Sequence, residues 1–161
     1  MSAMAYWLMK SEPDVFSLQD LRRRTIAGWD GVRNFQARNN LRRMKRGDLA
    51  FFYHSSANPT GIAGIMEIVR EAYPDPTQFD PTQDGFDPSS KPESPRWDQV
   101  DVRFVRELER FVPLDELRTR PGLEKMVLLN NTRLSVQPVE APEWDIVLLC
   151  ARAGLAKANG E

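Results

Sequence analysis

Short apolar runs alternate with polar, turn-rich stretches along most of this chain. Ala5 to Met9 (AYWLM) predicts a buried strand. It ends in a polar turn, because Pro13 disfavours helical geometry at Glu12. Leu18 and Leu21 stand at helical spacing behind Ser17, whose hydroxyl can accept from the backbone at Asp20. That helix is expected to run through Arg22, Arg23 and Arg24 and stop at Gly28. Gly28-Trp29-Asp30-Gly31 predicts a turn or loop, since two glycines around a tryptophan suit no regular element. Ala37, Leu41 and Met44 form one apolar stripe and predict a helix over 34–44, closed by Gly47-Asp48. Leu49 to Tyr53 (LAFFY) predicts a second buried strand, and 54–61 a polar loop. Ile62 to Val69 predicts a third strand in which Gly64 marks a bulge or close approach.

The second half is less regular. Residues 73–95 interleave Pro74, Pro76, Pro81, Pro88, Pro92 and Pro95 with Asp75, Asp80, Asp84 and Asp87. A long insert of this kind is usually functional or mobile, or else an ordered crossover packed here by Phe79 and Phe86. Val100, Val102 and Phe104 alternate with Asp101 and Arg103, a strand with one wet face that continues less cleanly to Val112. Pro113 opens a short helix over 113–117. Leu123 to Leu129 fits helix or strand equally, and 133–139 alternates as a strand. Residues 142–153 predict a helix capped by Gly154, with frayed residues after it. Strands and helices without regular alternation predict an α+β class around a small curved sheet or barrel. Neither an internal repeat nor an inter-domain linker interrupts the chain, so residues 1–161 are expected to form a single domain.

Composition narrows this picture without redirecting it. The 161 residues suffice for a sizeable core, with 41% hydrophobic and 28% charged residues. Cys150 is the only cysteine, which excludes an intramolecular disulfide and a cysteine-based zinc cluster. The N-terminal apolar run is too short for a signal peptide, and none approaches the roughly 20 residues of a membrane span. A soluble protein is expected, cytoplasmic or, in a eukaryote, nuclear. Formal net charge is only -1, yet nine Lys/Arg residues lie between Arg22 and Arg46, with Asp30 the only acid among them. That concentration fits either a solvated helix face or a local anionic partner.

Motifs for catalysis are missing. His54 is the only histidine, and HExxH, CxxC, the Walker spacing, a dinucleotide glycine fingerprint and a GxSxG elbow are all absent. No metal and no cofactor is expected. Aromatic residues beside basic ones point elsewhere. Trp7 and Trp144 read as core, whereas Trp29 and Trp97, in a loop and at a strand entry, are placed to stack on a planar ligand. Basic side chains would hold a phosphate backbone while Asn, Ser or Asp read base edges.

Six segments in order then resemble a known family. They are Trp-Leu-Met-Lys-Ser-Glu-Pro (7–13), Trp-Asp-Gly-Val-Arg-Asn-Phe-Gln-Ala-Arg-Asn (29–39), Met-Lys-Arg-Gly-Asp (44–48), Phe-Tyr-His-Ser (52–55), Gly-Ile-Ala-Gly (61–64) and Trp-Asp-Gln-Val-Asp-Val (97–102). Together they resemble the EVE domain family over about residues 6–149. The resemblance implies a PUA-like fold, related to the YTH reader of methylated RNA. It also implies a nucleic-acid partner, DNA before RNA, with a modified cytosine as the favoured target. The implied pocket comprises Lys10, Ser11, Trp29, Val32, Arg33, Asn34, Tyr53, His54 and Ser55, with Trp97 and Asp101 opposite.

Within that pocket a flipped nucleotide would stack on Trp29 or Trp97, with Asn34 and Ser11 on its edge and Asp101 accepting from an exocyclic amino group. Arg38, Arg42, Arg43, Lys45 and Arg46 would contact phosphates, joined by Arg33. Competing expectations are that Asp101 pairs with Arg33 or Arg103 and that His54 caps a turn. At the level of function the alternatives are an enzyme using His54 and Asp101 as acid and base, and a protein-interaction module built on residues 73–95.

Overall fold

The computed structural model describes residues 4–160, with side chains through residue 153. The elements in order are β1 (Tyr6–Ser11), α1 (Leu18–Arg24), β2 (Ile26–Gly28), α2 (Phe35–Arg43), β3 (Leu49–His54), β4 (Gly61–Pro74) and β5 (Asp98–Pro113). They continue with α3 (Leu114–Thr119), α4 (Val127–Asn130), β6 (Val136–Val139) and α5 (Ala141–Gly160). One six-stranded sheet runs β2-β5-β4-β3-β1-β6. β1 and β3 pair in parallel, and every other neighbour is antiparallel. The class is α+β and PUA-like, and the curved sheet stays open, with β2 and β6 as its edges.

Apolar runs such as Leu8-Met9 and Phe51-Phe52 are continuous because both faces of the central strands are covered. Met9, Leu18, Leu21, Leu41, Phe52 and Val102 meet on one face, under α1 and α2. Leu8, Phe51, Leu117, Met126, Trp144 and Val147 meet on the other, under α3 to α5. Each such side chain contributes about 1.5–3 kcal/mol of burial. Trp7 and Trp144 are core residues, as expected.

Gly64 lies at a register shift between β4 and its two neighbours, where the sheet bends. A Cβ there would stand 2.6 Å from Leu18 Cδ2 and 2.7 Å from the Arg106 carbonyl oxygen. Only glycine lets α1 sit this close to the sheet. Ser17 and Asp20 cap α1 reciprocally, each side chain accepting from the other's backbone N–H.

Several boundaries differ from expectation. Helix α1 ends at Thr25, whose φ of 70° turns the chain into β2 before Gly28 is reached. Strands β4 and β5 extend well past their apolar cores because each borrows backbone partners from the other. Helix α5 passes the expected stop at Gly154 and runs to Gly160.

The proline-rich insert is folded. Gln78 is buried, its Nε2 donating to the Asp75 and Trp97 carbonyls at 2.7 Å each. Its Oε1 accepts from Ser90 Oγ at 2.6 Å and Trp97 N–H at 3.0 Å. This amide, rather than Phe79 or Phe86, holds the insert together, and Phe86 is exposed.

Candidate functional site

Two adjoining cavities open where β1 ends. The smaller, about 230 Å³, is walled by Phe16, Trp29, Gly28 and the stem of Arg24. The larger, about 810 Å³, extends past Ser55 to Thr77–Gly85 of the insert and to Thr132–Ser135 before β6. Lys10, Ser11, Val15 and Asp30 line both. Strand β1 delivers Lys10 and Ser11 there because the turn after it reverses the chain: the Val15 and Phe16 N–H groups both donate to the Glu12 carbonyl. Ser11 Oγ donates to the Phe16 carbonyl at 2.6 Å and so pins that turn to the strand. Lys10 Nζ donates to the Thr132 carbonyl at 2.8 Å and sits 5.6 Å from the Tyr53 ring centroid. Burial lowers its pKa.

Trp29 is not turned outward as expected. It is 6% exposed and packs edge-on against Phe52 and Phe16 at 5.3 and 6.2 Å, leaving only part of its surface on the small cavity. Trp97 does not reach either cavity. Its indole N–H donates to Asp87 at 2.7 Å and its ring stacks on exposed Phe35 at 4.7 Å. Val32 is core. Asn34 caps α2, its Oδ1 accepting from Ala37 N–H at 2.9 Å, so a carbonyl expected to read a base edge is already engaged.

Arg33 is clamped. It donates to Asp75 at 3.0 Å, Thr77 Oγ1 at 3.0 Å and the Gly85 carbonyl at 2.9 Å. Asp75 also accepts from Gly31 N–H at 2.8 Å, so one buried carboxylate ties the insert to the Trp29–Arg33 loop. Burial pushes the Asp75 pKa up, but the donors from Gly31, Thr77 and Arg33 outweigh it and hold the carboxyl below its usual range.

His54 and Asp101 do not converge. His54 Nε2 accepts from Leu18 N–H at 3.1 Å, capping α1, and burial lowers its pKa, which keeps that nitrogen free to accept. Asp101 accepts from Tyr73 Oη at 2.5 Å, which itself accepts from Gln99. Arg33 and Arg103 pair with Asp75 and Glu67 instead. Tyr53 is buried with its hydroxyl near Thr60. Ser55 lines the larger cavity.

The basic residues of α2 divide. Arg42 is paired with Asp98 at 2.5 Å, and Arg38 donates to the Arg96 carbonyl and Asn39. Arg43, Lys45 and Arg46 instead border a third groove of about 380 Å³ beyond the C-terminal end of α2. Nine residues of helix, about 13 Å, separate them from the Asn34 end. Arg24, Arg133 and Lys10 are the cations at the main cavities. Sequence reading missed Val15, Phe16, Arg24 and Asp30, although Asp30 had already stood out as the only acid in a basic stretch. Among the described residues no group of three or more His, Cys, Asp or Glu side chains is placed to hold a metal, and no helix is long and apolar enough to cross a membrane.

Comparison with known proteins gives four consistent findings. The EVE domain pattern matches residues 5–150. Human thymocyte nuclear protein 1 is 49% identical, over 89% of this chain and 72% of its own length. The crystal structure of human THYN1 protein in complex with DNA containing 5-methylcytosine superposes with a TM-score of 0.89 at 48% identity, covering 92% of this chain and 98% of that one. A hypothetical protein from Leishmania major superposes with a TM-score of 0.93 at 45% identity, covering 95% and 98%.

Proposed function

The chain belongs to the EVE domain family, and on that premise we propose that it reads modified cytosine in DNA, holding one flipped base in the cavity at the end of β1. The observation that carries this reading is the small cavity itself. It joins the aromatic walls of Phe16 and Trp29 to hydrogen-bonding groups at Ser11, Lys10 and Asp30, within a fold whose human relative is seen bound to methylated DNA. Flipping costs a few kcal/mol, and base–aromatic stacking at about 1–3 kcal/mol together with edge hydrogen bonds offsets it. Lys10, Arg24 and Arg133 serve the phosphates flanking the flipped base. Arg43, Lys45 and Arg46 serve a more distant phosphate run along the third groove.

Binding rather than turnover suits the site, because His54 and Asp101, the acid–base pair open to an enzyme, are each engaged by other partners. The same reading makes residues 1–161 one domain and puts the protein where DNA is, in the nucleus of a eukaryote or the cytoplasm of a bacterium.

Fluorescence anisotropy with short duplexes carrying cytosine or 5-methylcytosine at one position, at about 50 and 200 mM salt, tests this. The expected result is tighter binding of the methylated duplex at both salts, with both affinities falling as salt rises. Affinity indifferent to the methyl group at both salts leaves only backbone contact and overturns the reading.

A further inference from the structure

We infer that Asp30 is the residue that distinguishes the 4-amino group of cytosine from the 4-oxo group of thymine or uracil in the flipped base; this deepens the reader assignment and rests on it. 5-Methylcytosine and thymine carry the same methyl group and the same ring face. An apolar wall built from Val15, Phe16 and Trp29 therefore cannot tell them apart. They differ at position 4, a donor in cytosine and an acceptor in thymine. A carboxylate accepts from the amino group and repels the oxo group, so an acid with a free acceptor at the cavity is suited to make this choice.

Asp30 meets that requirement. It lines both cavities beside Lys10, Ser11 and Trp29. None of the salt bridges or side-chain hydrogen bonds among the described residues ends on it, whereas Asp48, Asp75, Asp98 and Asp101 all have donors. The cavity walls desolvate it and the nearby Asp75 carboxylate repels it, together raising its pKa against the opposing pull of Arg33, Arg24 and its own backbone N–H. Its own backbone N–H is the one donor that reaches it, so the exposed face of the carboxylate on the cavity side is open to a donor from a ligand. Asp101, expected from sequence to fill this role, already accepts from Tyr73.

The test uses single-stranded oligonucleotides, which remove the cost of opening a duplex, with cytosine, 5-methylcytosine, uracil or thymine at one position. The amino-to-oxo ratios (5-methylcytosine over thymine, cytosine over uracil) report on Asp30. The methyl-to-hydrogen ratios (5-methylcytosine over cytosine, thymine over uracil) report on the reader assignment. Wild type is expected to favour the amino bases about tenfold. Asp30→Asn and Asp30→Ala should bring that ratio to within about twofold of one while leaving the methyl ratio in place. Thermal melting establishes that both variants fold, and Asp30→Asn should melt no lower than wild type. An amino preference unchanged in both folded variants, or absent from wild type, overturns the inference. A methyl ratio of one overturns the reader assignment, and the amino ratios then still decide Asp30.

Discussion

Asp75 and Asp30 lie on two sides of the same loop, close enough that each carboxylate feels the other. Asp75 is fully buried and accepts from Gly31, Arg33 and Thr77. Asp30 faces a cavity and is not bonded by any other side chain among those described. Their pKa values move in opposite directions, Asp75 down and Asp30 up. One residue type thus serves as a fastener on the insert side and as a spare acceptor on the cavity side. What separates the two is the supply of donors rather than burial, since burial alone pushes both pKa values up.

The largest effect should come from the fastener. Asp75→Ala leaves the half-buried Arg33 guanidinium without its anion and releases Gly31, at a cost of about 3 kcal/mol in urea denaturation. The acid limb carries the same signature. A depressed carboxyl stabilises the fold above its unfolded pKa of about 3.9 and loses that contribution as pH falls through the folded value. Wild-type stability should therefore drop more steeply below pH 4 than that of Asp75→Ala. Equal slopes would mean that Asp75 is not the fastener.

Next comes Trp97→Phe, which removes the indole donation to Asp87 and should cost about 1.5 kcal/mol by the same measurement. DNA affinity should be unchanged; a selective loss of methyl preference would restore Trp97 to the site. Gly85→Ala is a milder probe of the clamp. Its Cβ would meet Arg33 Nη2 at 2.6 Å and Thr77 Oγ1 at 2.9 Å, side-chain tips able to yield, so about 1 kcal/mol is expected. The smallest effect has the opposite sign. Asp30→Asn should stabilise the fold at neutral pH by less than about 0.5 kcal/mol, since solvent screens a largely exposed carboxylate. A raised carboxyl penalises the fold increasingly as pH climbs from the unfolded pKa through the folded one. The gain should therefore vanish below about pH 4, where both side chains are neutral. A variant less stable than wild type at pH 7 would remove the contrast between the two carboxylates.

Much of this architecture could be read along the chain, and the unread part has a common cause. Helix α1 and strands β1 and β3 were legible because their signals are local: Ser17 with Asp20, and apolar runs bounded by turns. Lys10 and Ser11 entered the expected pocket through the family resemblance, and both line the cavities at the end of β1. Strand β2 was not, since three residues carry no periodicity and form a strand only by pairing with Arg103 to Asp101. The burial of Trp29 was not legible because the rings that enclose it, Phe16 and Phe52, come from elsewhere in the chain. Trp97 was misjudged for want of Asp87, and Asp30 overlooked because the Glu12–Phe16 turn that completes its cavity lies well upstream.

That β1 lies inside the sheet, between β3 and the edge strand β6, has a consequence for the order of assembly. The β3–β4 hairpin closes over the short loop 55–60 and needs only neighbouring chain. The Lys10 N–H instead finds its acceptor at Ser135, and the cavity gathers side chains from both ends of the sequence. Contacts of such separation require the largest loop closures and form late. In a refolding experiment hairpin structure should precede competence for DNA. A chain still being synthesised would lack the wall of the larger cavity until residue 135 has been made.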